Sequence, residues 1–203
     1  MLAALLLFLL NSFALVWRRR PLRWALFALC AGAAGFLLLP LGPEKDRAPL
    51  RELYSKSMLA YTGSPYVWGG EGRLGIDCSG LVRRGLEDAL VDHGLRTLNP
   101  YWIRKGIFIW WHDTTAQALG DGTAGVTHKI TECQSLNRLD PALIRPGDLA
   151  VSPRGIHVMA YLGDGTWIGA DPTEARVTKF TIPEEKNGYF SMPMTIVRWN
   201  MLE

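Results

Sequence analysis

The sequence predicts an α+β domain held behind a helical membrane anchor, and three observations lead there. The first 43 residues hold two apolar runs, and no acidic side chain occurs before Glu44. Residues 50–61 and 79–90 then carry apolar side chains at helical spacing. From Pro146 the texture changes to short runs of β-branched and aromatic residues. Helices first and an antiparallel sheet afterwards is the α+β order, and 203 residues leave room for one ordinary domain plus accessories.

Met1 to Val16 is apolar except for Asn11 and Ser12. A basic knot follows, "WRRRPLRW" from Trp17 to Trp24, and a second apolar run extends from Ala25 to Gly42. Each run is about 16 to 18 residues, the short end of what spans a hydrocarbon core as a helix. Trp17 and Trp24 flank the arginines, where amphipathic rings sit at headgroup level. Residues 1–43 are therefore expected to form a transmembrane helical hairpin with its basic connection at 17–24; the alternative is a single anchor made by the second run. A cleaved signal peptide would need a positive start and a small-residue cleavage site, which the first run lacks. A hairpin buried in a soluble core would strand four arginines in a tight turn.

The positive-inside tendency puts Arg18, Arg19, Arg20 and Arg23 in the cytoplasm. Both anchor readings then place the rest of the chain on the extracytoplasmic, periplasmic side of a cytoplasmic (inner) membrane. Without those arginines, 18 basic side chains face 19 acidic ones, about −1. The net charge of +3 is thus a topology signal, and no basic stripe elsewhere suggests nucleic acid. Cys30 lies in the second apolar run, and the remaining pair, Cys78 and Cys133, makes no disulfide framework.

"GPEKDRAP" (Gly42 to Pro49) contains the linker, residues 44–49, and its eight residues reach at most about 25 Å. The domain proper is residues 50–203. Leu50, Leu53, Tyr54, Met58 and Tyr61 are spaced for a helix that "TGSP" ends. "SGLVRRGLEDAL" after Cys78 reads as a second helix with Leu81, Val82, Leu86, Ala89 and Leu90 on its apolar stripe. Arg83–Glu87 and Arg84–Asp88 are spaced as i,i+4 pairs on its wet face. Residues 92–145 read as mixed structure, with strand-like composition in "IRKGIFIWWHD". Strands are expected in "GDLAVS", "IHVMAYLGDGTWIGAD" and "MTIVRW", with "LGDGT" (Leu162 to Thr166) as a tight hairpin.

"YVWGGEGRLGIDCSGLV" (Tyr66 to Val82) is the chemically suggestive stretch. Its cysteine is a candidate nucleophile, metal ligand, disulfide half or small buried residue. Asp77 is placed to cap a helix beginning at Cys78, where unpaired N–H groups and the helix dipole would lower the thiol pKa. Among His93, His112, His128 and His157, only His157 opens a strand of the sheet expected beside that helix. Metal binding lacks ligand spacing; His112–Asp113 is the one tempting exception.

Taken with "RPGDLAV" (Arg145 to Val151) and "HVMAYLGDGTWIGA" (His157 to Ala170), the stretch resembles the NlpC family of bacterial cell-wall cysteine peptidases over roughly residues 50 to 172. The resemblance implies a papain-like fold and hydrolysis of peptide bonds in peptidoglycan stem peptides without a cofactor. It implies Cys78 as nucleophile, His157 as proton carrier, and an oxyanion held by the Cys78 N–H with help from the Tyr66 hydroxyl. Asp77 and Ser79 match the residues that grip the free amino terminus of a stem, and Asp77 also reads as a plain N-cap. The sequence departs from the family where a third polar residue should orient the histidine: that place falls on Gly169. Asp171, two residues on and on the same strand face, is the candidate orienter; the alternatives are a water, a group from residues 110–134, and a weakened enzyme.

The expected partners are peptidoglycan stem peptides, the lipid bilayer through residues 1–42, and a membrane protein complex as a candidate. Two rival functions stand beside hydrolysis. One is a module that binds wall peptide or a partner after losing activity, which Gly169 favours. The other is a lipid-directed acyl-transferring thiol enzyme, which the order of Cys78 before His157 disfavours.

Overall fold

The computed structural model describes residues 19–123 and 125–203. The chain divides into two units, Met1–Leu41 and Gly42–Glu203. In the first, helix α1 (Arg20–Leu38) buries no residue and is long and apolar enough to cross a membrane. It starts inside the basic stretch, with Pro21 in its first turn, where a missing N–H costs nothing. Arg20, Arg23 and Trp24 therefore belong to the helix and not to the expected connection. The first apolar run, the other half of the expected hairpin, lies outside the described residues.

The second unit layers helices on a sheet. Helix α2 (Ala48–Leu59) buries Leu50, Tyr54 and Met58, the spacing that predicted it. Strands β1 (Glu71–Gly72) and β2 (Gly75–Ile76) form a small hairpin ahead of helix α3 (Cys78–Arg96). Helix α4 (Pro100–Trp111), helix α5 (Ala116–Asp121) and strand β3 (Thr127–Cys133) occupy the stretch that read as mixed. The strand-like composition of residues 103–111 is overridden by a strong start signal. Asn99 caps the first turn by accepting from the Tyr101 N–H, and Pro100 is pre-shaped for that turn. Gly106 then lets α4 lie close on α3, since a Cβ there would come within 2.9 Å of Val91.

The main sheet continues with β4 (Leu149–Val151), β5 (Val158–Gly163), β6 (Thr166–Asp171), β7 (Arg176–Thr181) and β8 (Met194–Trp199). Its order is β3-β8-β4-β5-β6-β7, and every neighbouring pair is antiparallel. The β5–β6 turn is Asp164–Gly165, both with positive φ (49° and 70°), the primed geometry that matches strand twist. Both sheet faces are buried. Val158, Ala160, Ile168 and Ala170 pack under the helices, while Met159, Tyr161 and Trp167 pack against Leu136, Phe190 and neighbours on the far side. That second layer explains why β5 lacks the alternation of a half-wet strand.

Candidate active site

Local backbone chemistry builds the nucleophile's perch. Asp77 is extended (φ −99°, ψ −179°) and caps α3. Its Oδ1 accepts from the Gly80 N–H (2.6 Å) and the Ser79 hydroxyl (3.0 Å), and its Oδ2 from the Gly69 N–H (2.8 Å). One carboxylate thus starts the helix and ties down the glycine loop. The loop presses so closely that a Cβ on Gly80 would sit 2.5 Å from the Gly70 carbonyl oxygen. Cys78 opens the helix with only 5% of its surface exposed.

The expectation of a lowered thiol pKa is corrected here. Burial pushes the Cys78 thiol up to about 11; the backbone amides of Val158, Ser79 and Cys78 pull the other way, and the Asp77 charge adds to the rise. A helix terminus is worth about 1 kcal/mol, less than the cost of placing a thiolate away from water. The resting site holds a neutral thiol. Its contact with the Val158 amide sets the sulfur beside the residue that follows His157.

His157 lies at the mouth of β5, 1% exposed. Its backbone is clamped to Ser152, whose Oγ accepts from the His157 N–H (2.8 Å) and whose N–H donates to the His157 carbonyl (3.0 Å). Burial lowers the imidazole pKa to about 4, with the Asp171 charge working against that fall. Among the described residues, Nε2 is buried without a hydrogen-bond partner. It faces Gly169, where a Cβ would stand 3.5 Å from it. The departure noted in the sequence is therefore an empty position directly against the histidine.

Asp171 does not fill that position by hydrogen bonding. Its Oδ1 accepts from the Thr173 and Glu174 N–H groups (2.7 and 3.0 Å) and its Oδ2 from the Asn187 amide (2.7 Å). It anchors the β6–β7 turn and acts on His157 through its charge alone, which corrects the expectation that it reaches back. The group that does hold the ring is Tyr189, unremarked in the sequence. It stacks on His157 at 4.1 Å between centroids, 20° between planes. Its only sequence signal is that it is an aromatic in the polar stretch "EEKNGYFS".

Tyr66 joins the cluster. Burial pushes its hydroxyl up to about 12, and the Asp77 and Asp171 carboxylates add to the rise. Beside Cys78 opens a cleft of about 220 Å³ lined by Asp77, Ser79, Glu71, Arg83, Asp113 and Thr115 among others. Arg83 was expected on a wet helix face; it is instead buried, pairing with Glu71 and with Asp113 (2.9 Å). Glu71 of β1 and Asp113, just past α4, reach that face. Arg84 takes the pairs with Glu87 (2.5 Å) and Asp88 (3.3 Å). The lining thus holds the carboxylates of Asp77, Glu71 and Asp113 against the single guanidinium of Arg83, an excess of negative charge suited to a cationic group. His112 turns its Nδ1 to the Phe108 carbonyl (2.8 Å) while Asp113 turns to Arg83, so those two do not converge on a common ion.

The Tyr189 stack has a measurable consequence. A histidine with a depressed pKa adds stability above its ordinary value of 6.5 that is lost as pH falls through about 4. Tyr189→Ala admits water to the ring, so the His157 midpoint in a histidine-labelled NMR titration is expected to climb from about 4 towards 6.5. Tyr189→Phe keeps the stack and is expected to leave it in place. Equal midpoints in the alanine variant and the parent would remove Tyr189 from this role.

A buried thiol at the start of a helix that packs on an antiparallel sheet is the papain-like α+β arrangement. The NlpC/P60 family model matches residues 63–198. The chain belongs to the NlpC/P60 family. Solved structures that it resembles include the peptidoglycan hydrolase RipB of Mycobacterium tuberculosis (21% identity, 81% of this chain and 75% of that one, TM-score 0.48). RipD of the same organism, described as a non-catalytic peptidoglycan-binding protein, matches at 20% identity over 73% and 96%, TM-score 0.42. NlpC1 of Trichomonas vaginalis matches at 20% over 77% of this chain but only 46% of its own length, TM-score 0.48. No curated protein matches.

Proposed function

We propose that the chain is a membrane-anchored cysteine peptidase hydrolysing peptide bonds in peptidoglycan stem peptides, with its catalytic unit outside the cytoplasmic membrane. The observation that carries this reading is the placement of the Cys78 sulfur at the first turn of α3, against the backbone amide next to His157. Both partners rest neutral, so chemistry starts with proton transfer. As a stem carbonyl enters the cleft, the Sγ proton passes to the imidazole and the thiolate attacks carbon. The oxyanion accepts from the Cys78 N–H and the Tyr66 hydroxyl. The imidazolium, favoured by the Asp171 charge, gives its proton to the leaving amine. Water then attacks the thioester with His157 as base, freeing the acid and restoring the thiol. Asp77 and Ser79, with the surplus of carboxylates, suit the ammonium of a stem's free amino terminus.

The test is digestion of purified peptidoglycan by the full chain, with release of stem fragments as the expected result. Blocking the amino termini of the stems by acetylation is expected to slow release at least tenfold, about the value of one lost charge-assisted contact. A second reading, a wall-peptide-binding module, is favoured by the unpartnered Nε2 opposite Gly169. Retention of wall material without release would establish it instead, and cleavage of phospholipid would favour acyl transfer.

A further inference from the structure

Helix α4 is amphipathic in the inverted sense. Pro100, Trp102, Gly106 and Ile109 are buried against the domain. The residues left outside are apolar too: Ile107, Phe108, Trp110 (56% exposed) and Trp111 (75%). A water-facing helix surface is ordinarily polar, and clustered exposed aromatics mark an interaction face. We propose that this outer face of α4 lies in the headgroup–acyl boundary of the lipid bilayer, so that the catalytic unit is docked on the membrane and not merely tethered to it. The proposal rests on the reading of α1 as a membrane anchor.

Lipid is the occupant that the surroundings favour, first by where the chain arrives. Gly42, soon after α1 ends, has its carbonyl bonded to the Asn99 amide at the start of α4 (2.9 Å). Glu44 accepts from Asn99 (2.8 Å) and from the Trp102 indole, and the Arg47 guanidinium lies over the Trp102 ring (4.8 Å). The linker is therefore fastened to the first turn of α4, and along the chain only residues 39–41 separate the end of α1 from Gly42.

Charge points the same way. Between Pro100 and His112 the only formal charges are Arg104 and Lys105. The Lys105 ammonium lies 5.5 Å from the Tyr101 ring and 5.8 Å from the Phe108 ring, an amphipathic arrangement that leaves the head free to meet phosphate. On α3 beside the face, Arg84 is shared by Glu87 (2.5 Å) and Asp88 (3.3 Å) and Arg96 pairs with Asp92 (2.8 Å), so with Arg104 and Lys105 four basic side chains stand against three acids. Tryptophan and phenylalanine on a short basic helix are the composition of an interfacial helix, which sinks its apolar face some 5–10 Å into the boundary.

The experiment uses the full chain reconstituted in phosphatidylcholine vesicles whose lipids carry bromine in the upper acyl chain. Subtracting the fluorescence of the Trp110→Phe/Trp111→Phe variant isolates the two indoles from the other tryptophans. Both positions are exposed, so the variant is expected to keep the parent's circular dichroism. Single substitutions provide the same subtraction should the pair disturb the fold. Bromine is expected to quench the isolated signal by roughly half, because indoles at interfacial depth lie within reach of it. An alkaline wash reports the anchor separately. A chain that survives the wash with its two indoles unquenched overturns the proposal while sparing the anchor. Unquenched indoles in a chain that cross-links to its own kind would assign the face to a second copy. Release by the wash would overturn the anchor, and the docked helix with it.

Discussion

Cys78→Ala is expected to lower the rate of stem-peptide hydrolysis by about a thousandfold or more without unfolding the domain. The thiol is the proposed nucleophile at the start of α3, where the neighbouring Ser79 hydroxyl is turned to Asp77 (3.0 Å), and three backbone amides approach the sulfur. Removing one sulfur atom from a buried site costs about 1 kcal/mol, because the cap is made by Asp77 and not by Cys78. Hydrolysis of a synthetic stem peptide and a thermal melt of the same sample separate the two effects. Cys78→Ser is also expected to be inactive, since a hydroxyl yields its proton less readily than a thiol. Turnover by the alanine variant at the parental rate would remove Cys78 from the chemistry. The raised thiol pKa adds a sign that can be checked. Stability from the buried thiol is full below its ordinary value of 9.0 and is lost as pH rises through about 11.

Asp148→Ala is expected to cost about 3–5 kcal/mol, a fall in melting temperature on the order of 10 °C for a unit of this size. Asp148, the acid of "RPGDLAV", is 1% exposed just ahead of β4. Its oxygens take a two-point contact from Arg198 on β8 (2.6 and 2.7 Å) and the Arg145 N–H (2.9 Å). Its backbone carbonyl accepts from Tyr161 on β5 (2.8 Å), so one residue joins three neighbouring strands. Alanine leaves the Arg198 guanidinium largely buried, with Glu203 at 4.0 Å as its remaining acidic partner. Adding Arg198→Met to Asp148→Ala is expected to recover part of the loss, since the stranded charge goes too. Denaturant unfolding measures all three variants. An unchanged midpoint in Asp148→Ala would show that the pair stabilises nothing.

The capped helix at Asp77–Cys78 and the Asp164–Gly165 hairpin were legible because each is decided within a few residues. An extended aspartate satisfies the N–H groups that follow it, and a two-residue turn with positive φ fits twisted strands. Helix α4 was legible in principle through Asn99–Pro100, but its β-branched and aromatic content masked the signal. Propensity over so short a window is weak beside packing on α3. The segment between α4 and α5 supplies Asp113 and Thr115 to the cleft wall, which no local pattern announces.

What the chain determined by itself is the order of its elements, the helix start that displays Cys78, and the gap at Gly169, all properties of adjacent residues. What only the folded unit decided is how that gap is met. Tyr189, remote in sequence, stacks on His157, while Asp171 is drawn away into its own turn. The protonation of the pair was decided there as well, neutral thiol and neutral imidazole, against the direction that a helix start alone implies. The reason is common to both. Capping and turns depend on backbone geometry a few bonds away, whereas ring stacking and the exclusion of water depend on which distant segments close over a side chain.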